Sequence, residues 1–223
     1  MRYIKTRNGA MIGSIGAGFL AMGDWLIGCI NPTSIGDSMI LVKGCNEVGY
    51  IRPVLSMFVA ILGVIMCTHG MLCMADTILE KSKMKSLYRN SVIWGTLQWL
   101  FIHFVFCGFR YIYQYLWNEG YGDLAFNAVN AASEAFMPVF LISYVIIIVP
   151  YVVFFIALLR KKTVFPRWTA GFYMLTFTVI FKAVAAVLGK TPLANGFSTA
   201  SNNMAIAIWL FCVGIYLKRC SSE

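Results

Sequence analysis

The sequence predicts an all-α fold, a polytopic membrane protein built as a bundle of six transmembrane helices. Three observations carry this. Hydrophobic residues make up 60% of the 223-residue chain and charged residues 12%, against about 45–50% and about 25% in ordinary soluble domains. Too few polar side chains remain to cover a soluble surface, and the mean hydropathy is +0.75. Six apolar segments each suffice to cross a hydrocarbon core of about 30 Å at 1.5 Å per residue. Between them, connections rich in Lys and Arg alternate with connections that hold few, as in membrane proteins whose basic loops stay on one side.

The spans fall near residues 9–30, 54–76, 91–115, 137–159, 168–188 and 198–217. In the first, Gly9, Gly13, Gly16, Gly18 and Gly23 allow close helix packing. Arg2, Lys5 and Arg7 ahead of an apolar run resemble a signal peptide, and Leu26-Ile27-Gly28-Cys29 a lipoprotein cleavage box. Asp24 and Trp25 interrupt that run, and cleavage would delete the span, so an uncleaved first helix is expected. Residues 31–53 read as a loop that opens on the Asn31-Pro32 turn signal.

The second span places His69, Cys73 and Asp76 on one face by i, i+4, i+7 spacing, near Cys67. Soft ligands of this kind suit Cu(I), but Met and Cys are ordinary apolar residues in a bilayer. No metal and no cofactor is expected. The seven cysteines form no CxxC pair and no zinc-finger spacing. The third span aligns Trp99, His103, Cys107, Arg110 and Gln114 within about 40° of one line. So polar a stripe should face the bundle interior or water. Residues 118–136 are helix-compatible after Gly122, with Leu124, Phe126, Val129 and Phe136 suited to an interfacial helix. The fourth and fifth spans are strongly apolar. The sixth carries Asn202 and Asn203 in its first turns. Connections this short leave no room for a soluble domain, so residues 1–223 read as a single transmembrane domain.

Thirteen of the eighteen basic residues fall before the first span, between the second and third, between the fourth and fifth, and after the sixth. The opposite side holds Lys43, Arg52 and Lys190. The positive-inside rule then places both termini in the cytoplasm of a cell-membrane protein. It also accounts for the net charge of +9 without a nucleic-acid partner.

Ionisable groups inside a bilayer need a partner, a wet cavity or a route to the interface. Asp24, Arg110 and Lys182 lie within spans, and Glu134 sits at the start of the fourth. Two acids and two bases in the outer half can neutralise one another around one outward-facing pocket. Equally, Arg110 and Lys182 can snorkel independently, and Glu134 can favour a helix N-terminus. Asp24 is too short to snorkel far, so it calls for a partner. His103 is a candidate proton acceptor, or a hydrogen-bonded packing residue. Cys107 and His103 have the spacing of a nucleophile–base pair, with no orienting group or oxyanion donors in view. GxSxG, HExxH, P-loop and dinucleotide motifs are absent from the sequence.

Gly23-Asp24-Trp25-Leu26, the stretch from His103 to Tyr113, Pro166-Arg167-Trp168, Pro192 and Asn202-Asn203 together resemble a family of six-helix bacterial integral membrane proteins, a domain of unknown function. The resemblance implies the six-helix architecture and no activity. Its recurring features are the polar positions that the charge argument selects.

The function expected from the sequence is binding or transport of a small polar or amphipathic ligand in an outward-facing intramembrane pocket. Asp24, His103, Arg110, Glu134, Lys182, Asn202 and Asn203 would line it, and a homodimer is compatible with it. Two other classes stay open. One is a membrane-embedded enzyme acting on a lipid or isoprenoid with His103 as acid or base. The other is a non-catalytic scaffold or assembly protein whose charges pair with a partner helix.

Overall fold

The computed structural model describes residues 2–31, 48–79 and 83–220. Six α-helices follow one another: α1 Arg2–Gly28, α2 Ile51–Met74, α3 Lys83–Asn118, α4 Gly122–Leu159, α5 Met174–Leu188 and α6 Pro192–Cys220. Short 3₁₀ turns at Ala75–Thr77 and Arg167–Phe172 extend α2 and lead into α5. All six helical segments are long and apolar enough to cross a membrane. This is the architecture of a multi-pass membrane protein.

Each expected span is recovered, and most helices outrun it, because apolarity ends at the membrane whereas helix propensity does not. With 36 and 38 residues, α3 and α4 reach about 54 and 57 Å at the α-helical rise, well beyond the hydrocarbon core. Their surplus corrects the reading of residues 118–136. These do not form a separate interfacial helix; Gly122 begins α4, which runs unbroken through Pro138. Ala125 and Val129 pack against Tyr113 of α3, with Phe109, Leu116 and Phe126 around them. The apolar face of this segment meets its neighbour in the α3–α4 hairpin, and of Leu124, Phe126, Val129 and Phe136 the first and last stay exposed. Most of the 31–53 loop, including Lys43, lies outside the described residues. Its last three residues, Ile51–Pro53, form the first turn of α2.

Helix α1 is central, packed between α2 and α6, while α3 packs on α4 and on α2, and α5 packs on α6. The α1–α2 seam is built from small residues, which let two backbones approach where there is no water-driven association. A Cβ placed on Gly13 would lie 2.7 Å from the Gly70 Cα, and one on Gly16 would lie 2.8 Å from the Gly63 carbonyl oxygen. Gly18 takes no part: a Cβ there meets nothing within 4 Å, because it faces away from both neighbours.

The basic connections share one end of the bundle. Leu79 donates its backbone N–H to the Lys162 carbonyl (2.9 Å) and Val164 donates to Thr77 (2.9 Å), so the α2–α3 and α4–α5 connections lie side by side. Gly9 of α1 faces Cys73, and Gly214 of α6 faces Met11, which brings both chain ends to this basic end. At the same end Phe154 stacks on Tyr173 and both meet Trp209 edge-to-face, with ring centroids 5.0–6.1 Å apart.

Candidate functional site

Asp24 lies one turn before the end of α1, where three other helices converge on it. From α6, Asn203 Nδ2 donates to Asp24 Oδ2 at 2.6 Å. From α3, His103 Nδ1 stands 3.7 Å from Asp24 Oδ1. His103 Nε2 is 3.0 Å from Ser56 Oγ of α2, and Ser56 itself donates to the Gly23 carbonyl at 2.8 Å. Since the serine proton is committed to that carbonyl, Ser56 Oγ accepts from His103 Nε2–H. The contact between His103 Nδ1 and Asp24 is then attractive when a proton lies between them. The expected partner for Asp24 is thus Asn203, with His103 beside it.

Ser56, His103 and Asp24 are connected through the ring nitrogens that a hydrolytic triad uses, but with the opposite polarity at serine. Ser56 is fully buried and gives its proton away from His103. It is a support for the imidazole. Sequence reasoning missed Ser56, for a lone serine in an apolar helix carries no periodic or compositional signal. Cys107 also bonds to Ser56, with Sγ donating to Oγ at 3.7 Å; that serine stands where a Cys107–His103 pair would have formed.

Beside this cluster lies a cavity of about 420 Å³ lined by α1, α3, α4, α5 and α6. Asp24, His103, Thr199, Asn202 and Asn203 form its polar end, while Val152, Phe155, Met174, Leu175 and Ile206 form its apolar end. On α4 the lining runs from Tyr144 to Phe155, about 16 Å at the helical rise. The apolar end points toward the Phe154–Tyr173–Trp209 stack at the basic end. Among the described residues, α4 and α5 do not pack along one another. The lining residues Tyr144, Ile148, Val152 and Leu175 are about half exposed, so the cavity opens sideways between these helices. Asn203 is 2% exposed, and its Oδ1 accepts no hydrogen bond from the described residues. The polar end therefore presents the Asp24 carboxylate, with the amide of Asn202 beside it, while Asn203 Oδ1 is enclosed behind them.

The other expected site residues lie outside this lining. Arg110 is buried, two turns along α3 from His103, with Nη1 donating to the Ile27 carbonyl. Arg52 Nη2 reaches the Cys29 carbonyl at 3.2 Å and Asn195 Nδ2 the Ile30 carbonyl at 3.2 Å. These groups satisfy carbonyls in the last turn of α1 and in the two residues that follow it, and face the negative end of its dipole. Lys182 is exposed on α5 and ties it to α6, with Nζ donating to the Ser198 carbonyl (2.8 Å) and Oγ (3.0 Å). Glu134 is exposed on the projecting part of α4 and accepts from Asn130 Nδ2 at 2.9 Å. The expected stripe on α3 does face inward: His103, Cys107, Arg110 and Gln114 are all buried. On α2, Cys73 Sγ lies 3.7 Å from His69 Nε2, but Asp76 turns to Lys85 at 3.0 Å. Among the described residues no three metal-ligating side chains converge.

The model of a protein family matches residues 1–220, under the description Family of unknown function (DUF6796). The chain belongs to this family. No curated protein and no solved structure matches it. Membership in DUF6796 spans the whole six-helix bundle and brings no activity with it, so the chemistry of the cavity carries the functional argument.

The capping role of Arg110 makes a prediction. Arg110→Ala removes a charged hydrogen bond from a buried helix end, worth about 1.5–3 kcal/mol. Thermal unfolding of the purified variant should show that loss, while ligand affinity of the folded fraction should stay near wild type.

Proposed function

We propose that this protein binds an amphipathic, membrane-soluble molecule whose head group donates hydrogen bonds, with a protonated amine as the best match. The observation that carries the reading is the Asp24 carboxylate, held by Asn203 and beside His103, at the polar end of a sideways-open, otherwise apolar cavity. A carboxylate in a low-dielectric site favours a cation or a strong donor. The apolar end accommodates a hydrocarbon tail along α4, and the α4–α5 opening lets such a molecule enter from the bilayer.

Binding is the core of the reading; transport adds a step. The Phe154–Tyr173–Trp209 stack stands at the basic end, and movement through the bundle would require it to part. The test is equilibrium binding of radiolabelled dodecylamine to the protein in phosphatidylcholine nanodiscs. A saturable component at least tenfold tighter than for dodecanol, and absent for dodecyl sulfate, is the expected result. Indistinguishable, unsaturable partitioning of all three would leave the scaffold reading in its place.

One observation favours a second reading. The His103–Asp24 pair lies beside the lateral opening, where a lipid head group would meet an imidazole able to take or give a proton. In that case His103→Ala would abolish turnover of a bound lipid amine while its binding survives.

The proposed orientation puts the basic end, with both termini, in the cytoplasm of a cell membrane, by the positive-inside rule. Cys45 in the 31–53 segment should then react with an impermeant maleimide applied to intact cells, with the other cysteines replaced by serine. Labelling only after permeabilisation would reverse the orientation.

A further inference from the structure

A second cavity, of about 220 Å³, lies at the basic end between α4, the connection before α5, and α6. It shares no lining residue with the Asp24 cavity. Its walls are almost entirely apolar and aromatic, among them Leu158, Phe165, Trp168, Phe172, Trp209 and Tyr216. Trp168 and Phe172 are 63% and 59% exposed, so the slot is open to the bilayer. Of its two hydroxyl-bearing residues, Thr169 and Tyr216, the first is already committed through Oγ1 to the Pro166 carbonyl at 2.7 Å.

The chain segments that flank this slot in sequence are basic. Arg160, Lys161 and Lys162 directly follow α4, whose last turn supplies Leu158, and Arg167 directly precedes Trp168. Between residues 135 and 222 the sequence holds no Asp or Glu, and the two acids of α4, Asp123 and Glu134, lie at its far end, so no part of the chain that lines the slot offers these cations a carboxylate. Asp76, across the adjacent connection, pairs with Lys85. Lys161 also adopts a left-handed backbone, φ 53°, a conformation that glycine or asparagine takes at lower cost. A lysine there keeps a charge on the rim at the expense of local strain.

We propose that this slot holds an anionic phospholipid of the leaflet at the basic end, its acyl chain between Trp168 and Trp209 and its phosphate against Arg160, Lys162 and Arg167. The topology rule requires basic residues at this end but no slot beneath them. A zwitterionic lipid would fill the slot and leave the rim charge uncompensated; a free phosphate would meet the rim and leave the slot unused. Only a molecule with both an anionic head and a hydrocarbon chain matches both features, as at basic pockets between membrane helices.

The test uses tryptophan quenching in phosphatidylcholine vesicles that carry a minor fraction of dibrominated phosphatidylglycerol or dibrominated phosphatidylcholine. The Trp168 signal is taken as the difference between the unmodified protein and W168F. The expected result is severalfold stronger quenching of Trp168 by the brominated anionic lipid than by the zwitterionic one. This preference should vanish in R160Q/R167Q, and quenching by both lipids should fall when C212F narrows the slot. Equal quenching by the two lipids would overturn the proposal, since the site would then be unselective. So would a preference unchanged in R160Q/R167Q, or one erased by millimolar inorganic phosphate, which would make the rim a simple anion site. If R160Q/R167Q fails to fold, a salt titration of the unmodified protein replaces it. High salt should erase the head-group preference while chain quenching persists; a preference insensitive to salt would contradict the proposal.

Discussion

Asp24→Asn is expected to weaken binding of a long-chain primary amine by about 10- to 100-fold while leaving the fold intact. The substitution keeps the shape of the side chain and an oxygen that Asn203 Nδ2 can still reach, so the α1–α6 contact at 2.6 Å is retained in kind. It removes the negative charge. A hydrogen bond to a charged group is worth about 1.5–3 kcal/mol, and every 1.4 kcal/mol is about tenfold in affinity. Binding of dodecanol, which brings no charge, should change by less than about threefold on the same scale. Equal losses for the amine and the alcohol would mean that Asp24 shapes the pocket rather than reading charge. Unchanged amine affinity would mean that the head group lies elsewhere.

Gly70→Leu should be the most damaging single change to the fold. A Cβ at position 70 would lie 2.8 Å from the Gly9 carbonyl oxygen and 3.0 Å from the Gly13 nitrogen. These are backbone atoms that cannot step aside. A leucine would drive α1 and α2 apart, and overpacking of this kind costs about 1–3 kcal/mol or more. The same separation would pull Gly23 and Ser56 apart and release the imidazole of His103. Loss of thermal stability should therefore come with loss of amine binding in the fraction that still folds. Gly18→Leu is the contrast, since that position faces open space; its stability should stay within about 0.5 kcal/mol of wild type, as for a surface change. Equal destabilisation at positions 18 and 70 would contradict the seam.

Which parts of this arrangement were legible in the sequence follows from the physics of each part. The six crossings were, because a bilayer demands about 20 consecutive apolar residues and few other environments do. The common end of the basic connections was, because loop charge alternates. The inward stripe of α3 was, because 3.6-residue geometry places His103, Cys107, Arg110 and Gln114 on one side. The ends of α3 and α4 were not. Beyond the membrane their continuation depends on Tyr113 meeting Ala125 and Val129, a pairing between two helices that one-dimensional periodicity does not contain. Depth in the membrane selected Asp24 and the α3 stripe selected His103, and the fold gathers both at the cavity with Asn202 and Asn203. It also selected Arg110 and Lys182, which sit at similar depth but point elsewhere: Arg110 to the end of α1, Lys182 to Ser198 on α6. Depth is written in the sequence, whereas azimuth around a bundle is decided by which helix packs on which. Ser56 shows the converse, a residue with no signal of its own that becomes central only when α2 meets α3.

In the proposed binding mode an amphipathic amine enters between α4 and α5 and sets its head group against Asp24. The most direct measurement is photo-crosslinking of the membrane-embedded protein with a diazirine-bearing long-chain amine, followed by mapping of the adducts by mass spectrometry. The account predicts saturable labelling of the α4 face from Tyr144 to Phe155 and of Met174 and Leu175, competed by dodecylamine and lost in Asp24→Asn. Labelling spread over the outward faces of all six helices, unsaturable and unchanged in Asp24→Asn, would contradict it.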